Sequence, residues 1–194
     1  KSKSEGLYKE RGSKFIGIAQ ACYSEEDAKQ LLDAWRAEHQ TASHLCYAYR
    51  IGSDMKVYRA NDDGDPSNSA GAPILGQIQS LELTNIVIGV VRYYGGTKLG
   101  VGGLINAYRS AARSALDNGK IITKKLNSIL TLDFTYEEMP MIMDAIKQMQ
   151  IPIEEQVFEN ACQLQVAVEL PEKENFIERM GKFETLTIKE KTIR

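Results

Sequence analysis

The sequence has few of the features that mark membrane or secreted proteins. Its 194 residues include 3 cysteines, none in C-x-x-C spacing, which argues against a disulfide framework and against a cysteine-rich zinc site. The longest apolar run, residues 86–91, is far shorter than the roughly 20 residues that cross a bilayer. The first residues, 1–5, contain no apolar signal core. These absences predict a cytoplasmic protein with no membrane partner.

A large net charge is also absent. The 24 Lys and Arg residues are nearly balanced by 26 Asp and Glu residues, for a formal net charge of -2. The chain as a whole is therefore not a polycation that coats nucleic acid. The charges are unevenly distributed, since residues 1–127 carry +4 and residues 128–194 carry -6. Contact with nucleic acid is expected to be confined to the first part of the chain.

Hydrophobic periodicity predicts two domains, residues 1–125 and 126–194. In the second, apolar and polar residues follow the order strand, helix, strand, strand, helix, strand, with a turn at 159–161. This order is the ferredoxin-like βαββαβ pattern, a four-stranded antiparallel sheet with two helices on one face. The first domain is predicted to be α+β, with strands at 13–23, 45–51, 55–60 and 86–93 and helices at 24–39, 74–78 and 104–117.

Glycine is concentrated between a predicted strand and a predicted helix, where residues 95–103 include five glycines. Backbone N–H groups in such a segment can converge on an anion at a helix N-terminus, and Lys98 adds positive charge. The spacing is neither that of a P-loop nor that of a dinucleotide-binding fingerprint, which argues against nucleotide triphosphatases and dehydrogenases. The alternative is a turn that serves only to pack the helix on the sheet. The candidate ligand- or RNA-binding residues are His44, Arg50, Arg92, Tyr93, Tyr94, Gly95, Gly96, Thr97, Lys98, Gly100, Gly102, Gly103, Arg109 and Arg113.

An acidic, turn-rich loop forms a second candidate region. Carboxylates there could hold a hard cation, but the twelfth position of a calcium loop would be Pro73 or Ile74 instead of Glu. No metal site is therefore assigned. The alternative is that Asp62 and Asp63 cap turns and that Ser69 caps the next helix. The candidate residues of this loop are Asp62, Asp63, Gly64, Asp65, Ser69 and Gly71.

His44 and Cys46 stand two residues apart on a predicted strand and therefore face the same side. This spacing permits a thiolate–imidazole pair, although the sequence identifies no third group to orient it. A buried thiol beside a polar histidine is the alternative. We therefore assign no catalytic residue and no cofactor.

Four segments in this order resemble the IMPACT family, in particular its bacterial YigZ-like branch. They are Arg11 to Ile16, Ser43 to Arg50, Asp62 to Leu75 and Arg92 to Tyr108. In the acidic loop, Asp65, Asn68 and Ser69 stand where the family usually has Glu, Gly and Thr.

The resemblance implies a first domain like the second domain of a small-subunit ribosomal protein and like domain four of elongation factor G. The second domain would be like domain five of that factor. Such folds commonly contact RNA or ribosomes. Eukaryotic family members regulate translation by binding the co-activator of an initiation-factor kinase.

Residues and resemblance together predict a cytoplasmic, non-enzymatic protein that binds RNA or ribosomes and is linked to translation or stress regulation. A translation-related protein is a further possible partner, and no oligomeric state is predicted. One alternative is an enzyme on a small phosphorylated substrate, with the glycine-rich segment as phosphate cradle. The other is a pure protein-interaction module, in which that segment is structural.

Overall fold

A computed structural model describes residues 3–158 and 162–193 and divides the chain into two compact units. Unit 1 comprises residues 1–121 and unit 2 residues 122–194, each with its own sheet. The predicted boundary, between residues 125 and 126, lies four residues after this division. The turn predicted at 159–161 lies outside the described residues.

Unit 1 is a five-stranded antiparallel sheet with helices on both faces. Strand order is β1-β2-β5-β3-β4, so β5 is central and β4 is an edge strand. The elements are β1 (Ser4–Glu10), β2 (Ser13–Ala21), α1 (Glu25–Glu38), β3 (His44–Ile51), β4 (Val57–Asn61), α2 (Gly71–Ser80), β5 (Ile86–Tyr93) and α3 (Gly100–Asp117).

Alternation along the strands builds one apolar layer on each face of this sheet. On one face, Phe15 of β2 and Ile88 of β5 pack in the same cluster as residues of α2 and α3. On the other face, Ile18 and Val87 pack with Trp35 of α1. Because successive side chains of a strand point to opposite faces, both layers form from the same strands.

Three elements of unit 1 differ from the sequence-based prediction. Strand β1 is not predicted, because its only large apolar residues are Leu7, which is 50% exposed, and Tyr8. Helix α2 begins at Gly71 and helix α3 at Gly100, each earlier than predicted. Apolar periodicity cannot locate a helix start that is rich in glycine or small residues.

Unit 2 has the predicted element order. Its elements are β6 (Asn127–Phe134), α4 (Met139–Gln148), β7 (Ile153–Phe158), β8 (Cys162–Glu169), a 3-10 turn (Leu170–Glu172), α5 (Lys173–Met180) and β9 (Thr187–Ile193). The antiparallel sheet has the order β7-β8-β6-β9, the split βαβ arrangement. Leu132, Ile142 and Phe176 lie in its core. The resemblances of the two domains to elongation factor G and to a ribosomal protein stay predictions.

None of the helices within residues 3–158 and 162–193 is long and apolar enough to cross a membrane.

Candidate functional site

The four segments that resemble a family meet at one end of the first sheet. Strands β2 and β3 both run antiparallel to β5, so Lys14 and His44, near their starts, pair with Tyr93 and Arg92 at the end of β5. The acidic loop, residues 62–70, reaches the same end, where the carbonyl oxygen of Asp63 lies 2.6 Å from Nδ1 of His44. The glycine loop, residues 94–99, starts at this end of the sheet and connects β5 with α3. We call this region the motif end of the sheet.

A buried carboxylate, Asp65, lies at the centre of the motif end. It accepts hydrogen bonds from the guanidinium of Arg92 and from the hydroxyl of Tyr108. Nε2 of His44 lies 3.6 Å from its Oδ1, and Sγ of Cys46 lies 3.9 Å from its Oδ2. The side chains of Asp65 and Arg92 are only 4% and 9% exposed. These five residues, the Asp65 cluster, connect the acidic loop with β3, β5 and α3.

The environment of the Asp65 cluster keeps its hydroxyl and its thiol protonated. Burial is the main cause that raises the pKa of the Cys46 thiol, and neighbouring carboxylates add to it. Burial also raises the pKa of Tyr108, with contributions from Cys46 and Asp65. Because a neutral thiol is a poor nucleophile, the arrangement agrees with the buried-thiol alternative rather than with a thiolate–imidazole pair.

The other two carboxylates of the acidic loop, those of Asp62 and Asp63, accept hydrogen bonds from backbone N–H groups. Asp62 accepts hydrogen bonds from the amides of Asn68 at 2.9 Å, Ala70 at 2.9 Å and Gly71 at 2.8 Å, and so caps the start of α2. Asp63 accepts from the amide of Leu45 at 2.7 Å and pairs with Arg36.

The prediction that Ser69 caps helix α2 is wrong. Its Oγ is buried and has no hydrogen-bond partner in the described part of the chain, because the carboxylate of Asp62 accepts from the amides that Ser69 would reach. The acidic loop is thus a structural cap built from a side chain eight residues upstream of Ala70. In the described part of the chain, no group of three or more His, Cys, Asp or Glu residues is arranged to hold a metal ion.

One residue of the glycine loop, Gly95, must be glycine because the backbone of the β1–β2 turn packs directly against it. A Cβ atom on Gly95 would lie 2.0 Å from the carbonyl carbon of Gly12, and its amide donates to Oγ of Ser13 at 3.1 Å. Gly96 has a φ of 85° but no neighbour near its Cβ position, and Gly102 also faces open space. The packing alternative therefore accounts for Gly95 but not for the exposed part of the loop, which includes Thr97 and Lys98.

The two consecutive tyrosines lie in different environments. Tyr93 packs on the α1 side of the sheet, and its hydroxyl lies 2.8 Å from Nδ1 of His39. Tyr94 is 49% exposed, and the guanidinium carbon of Arg92 lies 5.7 Å from its ring centroid. The pair therefore does not form one continuous stacking platform.

The structure brings most, but not all, of the predicted basic residues to the motif end. Arg50 lies at the other end of β3, opposite Ile86, and its Nε donates to the carbonyl of Met55 at 3.3 Å. Six residues of strand separate it from His44, which is about 20 Å. Arg50 is therefore not part of the site.

Helix α3 carries a stripe of exposed residues away from the glycine loop. Gly102, Asn106, Arg109 and Arg113 follow one another at spacings of three or four and share this face. Arg113 is paired with Asp117 at 2.8 Å, whereas Arg109 has no ion pair partner among the residues that the structure describes. Arg109 therefore extends the candidate surface along the helix.

Sequence reasoning missed two groups at the motif end. Tyr108 is not among the candidate residues, and its hydroxyl donates a hydrogen bond to Asp65. Arg11, at the turn between β1 and β2, is exposed beside the glycine loop. The signal for a buried Arg92 was available, since it follows the buried residues Ile88 and Val90 at period two.

Comparison with known proteins identifies the segment that contains these features. The Impact N-terminal domain matches residues 11–116. The IMPACT family member YvyE of Bacillus subtilis is 32% identical over 168 residues, which cover 87% of this chain and 77% of the relative. The IMPACT family member YigZ of Escherichia coli is 31% identical over 173 residues, 88% of this chain and 85% of the relative. A crystal structure of a hypothetical protein is 29% identical, with a TM-score of 0.69 and coverage of 96% and 93%.

Proposed function

Because the chain belongs to the IMPACT family, we propose that it is a cytoplasmic, non-enzymatic binding protein linked to translation, and that unit 1 binds RNA or a ribosome. One observation carries this proposal. At the motif end, the glycine loop presents Lys98 to solvent directly before the start of α3. A cation and free backbone amides at one place form a site for phosphate.

The start of α3 supports the recognition of an anion. No side chain caps this helix, and its first turn contains no acidic residue. The first amides of a helix lack partners within the helix, and its N-terminus carries a partial positive charge. Lys98 makes no hydrogen bond or ion pair with the described residues, so its ammonium group is available to a ligand.

Two residues proposed from the sequence as RNA contacts take a different role here. Arg92 is buried against Asp65, and His44 is held between Asp65 and the carbonyl of Asp63. Both are positioning residues for the acidic and glycine loops. The proposed surface therefore consists of Tyr94, Gly96, Thr97 and Lys98, the start of α3 and Arg109 on the exposed stripe.

The alternative of an enzyme on a phosphorylated substrate has less support. It would use Cys46, Asp62 or Asp63 as reactive groups. The first is a buried thiol with a raised pKa, and the two carboxylates accept hydrogen bonds from backbone amides. Each of these groups is part of the local fold.

The proposal is tested by measuring the binding of the intact chain to ribosomes and bulk RNA between about 50 and 200 mM salt. Affinity should fall steeply as salt rises. Lys98→Glu should weaken binding several-fold at low salt, whereas Lys29→Glu, an equal charge change on the exposed face of α1, should weaken it much less. The proposal is wrong if the two variants bind alike.

A thermal-shift series with nucleotides and metal ions separates the alternatives. A ligand at 100 times its dissociation constant stabilises a protein by about 2.7 kcal/mol. A shift with a small molecule, in the absence of RNA binding, would favour an enzyme. The absence of both RNA binding and a ligand-induced shift would favour a protein-interaction module.

A further inference from the structure

The turn between β1 and β2 has a side chain that its backbone does not favour. Glu10 pairs with Ser13, so the loop consists of Arg11 and Gly12 alone. Both have positive φ, 45° and 79°, which defines a type I′ turn. The first position of such a turn favours Asn, Asp or Gly, because other side chains are strained there.

Among the residues that the structure describes, no contact accounts for arginine at this position. The Arg11 side chain is exposed and makes no hydrogen bond, ion pair or ring contact within this part of the chain. The neighbouring cation Lys14 is also exposed and has none. Arg11 thus has a strained backbone and a guanidinium without a partner among the described residues. Such backbone strain clusters at functional sites.

The turn is fixed against the glycine loop. The carbonyl oxygen of Gly95 would lie 2.9 Å from a Cβ on Gly12, and the amide of Gly95 donates a hydrogen bond to Oγ of Ser13. Arg11 therefore stands beside the Tyr94–Gly95 segment. The half-exposed ring of Tyr94 is backed by the Arg92 guanidinium, which is itself held by Asp65.

We propose that Arg11, Tyr94 and Lys98 form one subsite for an unpaired segment of RNA, an inference that rests on the proposed function. Arg11 and Lys98 bind backbone phosphates, and one base stacks on the ring of Tyr94. A duplex keeps its base faces stacked inside the helix, so an exposed aromatic ring favours a single strand. Arg11 is the residue of this subsite that the sequence did not identify.

The test measures the anisotropy of labelled oligouridine and of the same strand in a duplex, at several salt concentrations, with the full chain. Wild type should bind the single strand about tenfold more tightly than the duplex. Arg11→Asn fits the type I′ turn, so its Tm should not fall, but it should weaken single-strand binding several-fold and lower the salt slope by about 1. Arg11→Lys should restore most of that slope.

Three further variants complete the design. Tyr94→Ala should weaken single-strand binding by roughly 5- to 100-fold, and Tyr94→Phe should retain it. Lys29→Gln, which removes an exposed cation from α1, is the control for Arg11→Asn.

Each outcome bears on one of the two proposals. Equal affinity for strand and duplex, or wild-type affinity in Arg11→Asn, overturns the subsite while RNA binding through Lys98 stands. Absence of RNA and ribosome binding in wild type overturns the proposed function itself.

Discussion

Asp65 connects residues that are far apart in sequence. Its partners are Arg92, 27 residues away, and Tyr108, 43 residues away. A buried ion pair contributes little net stability when intact, but removal of one partner leaves the other charge without compensation in a low-dielectric environment. The Asp65 cluster is therefore a sensitive point of the first domain.

Asp65→Ala is expected to lower the free energy of unfolding by about 3–5 kcal/mol, because it leaves the Arg92 guanidinium buried and unpaired. Urea unfolding followed by circular dichroism measures this loss. Asp54→Ala, at a side chain that is 57% exposed, is the control and should change stability by less than about 0.5 kcal/mol. Similar losses in the two variants would contradict the assigned role of Asp65.

Tyr49 gives the domain a pH dependence at alkaline pH. Burial, followed by its hydrogen bond to Glu25, raises the pKa of Tyr49 to about 12. The ordinary value is about 10, so the folded state holds the proton more tightly than the unfolded state. The stabilisation is complete below pH 10 and is lost as the pH rises toward 12.

Tyr49→Phe should therefore lose less stability than wild type between pH 10 and 12. Urea midpoints at several pH values in this range provide the measurement. The raised pKa values of Tyr108 and Cys46 affect both proteins alike, so the difference in slope reports Tyr49. Parallel slopes would show that Tyr49 titrates normally.

The sequence could not reveal the Asp65 cluster, for a physical reason. Asp65 stands in a segment of turn-forming residues, where a carboxylate usually caps a backbone amide. Arg92 stands near exposed cations, and Tyr108 follows the apolar stripe of a helix. These side chains form a cluster only because the fold brings the acidic loop, β5 and α3 together. The local sequence pattern of each segment carries no information about that tertiary contact.

At the scale of elements, the glycine loop and the β1–β2 turn depend on close backbone contact. Gly95→Ala would place a Cβ 2.0 Å from Gly12 and should cost about 1–3 kcal/mol through displacement of the turn. Gly102→Ala, in open space within the first turn of α3, should be neutral or stabilise by up to about 1 kcal/mol. Thermal unfolding of both variants tests the contrast. An unaffected Gly95→Ala would show that the contact is dispensable.

The start of α2 offers a second matched pair. Asp62→Ala removes the acceptor of three amide hydrogen bonds and should cost about 1–2 kcal/mol or more. Ser69→Ala removes a buried hydroxyl without a partner and should leave stability unchanged or raise it. Equilibrium unfolding in urea distinguishes the two. A larger loss in Ser69→Ala would restore Ser69 as the cap.

The prediction of helices and strands was correct where one hydrophobic periodicity dominates the segment. It was wrong where tertiary packing determines the secondary structure. Strand β5 has its predicted bounds, since six consecutive apolar or glycine residues mark a buried strand. Strand β1 is not predicted because pairing with β2 and packing on α3 stabilise it, whereas its own composition does not indicate a strand. Of the site, the exposed glycine loop was predicted, whereas the strained Arg11 turn required the backbone angles.

At the scale of the molecule, the two units differ in charge. Residues 1–121 have 15 basic and 13 acidic residues, a net charge of +2, and residues 122–194 have 9 and 13, a net charge of -4. The described core clusters of unit 1 are built only from residues of that unit. A phosphate ligand should therefore depend on unit 1 and be weakly repelled by unit 2.

A chain that ends at residue 121 should fold and bind RNA at least as tightly as the intact protein. Circular dichroism establishes the fold, and the same salt series measures the affinity. A folded fragment that no longer binds would assign part of the RNA surface to unit 2.

The contact between β1 and the end of α3 has a consequence during synthesis of the protein. Oγ of Ser4 donates to the carbonyl of Ala115 at 2.8 Å, across 111 residues of sequence. At about 5–20 residues per second, roughly 6–20 s pass between synthesis of the two. Strand β1 lacks this helix throughout that interval. Because β1 is synthesised well before α3, it is exposed without its packing partner for longer than the later strands of unit 1, and capture by chaperones should centre on it.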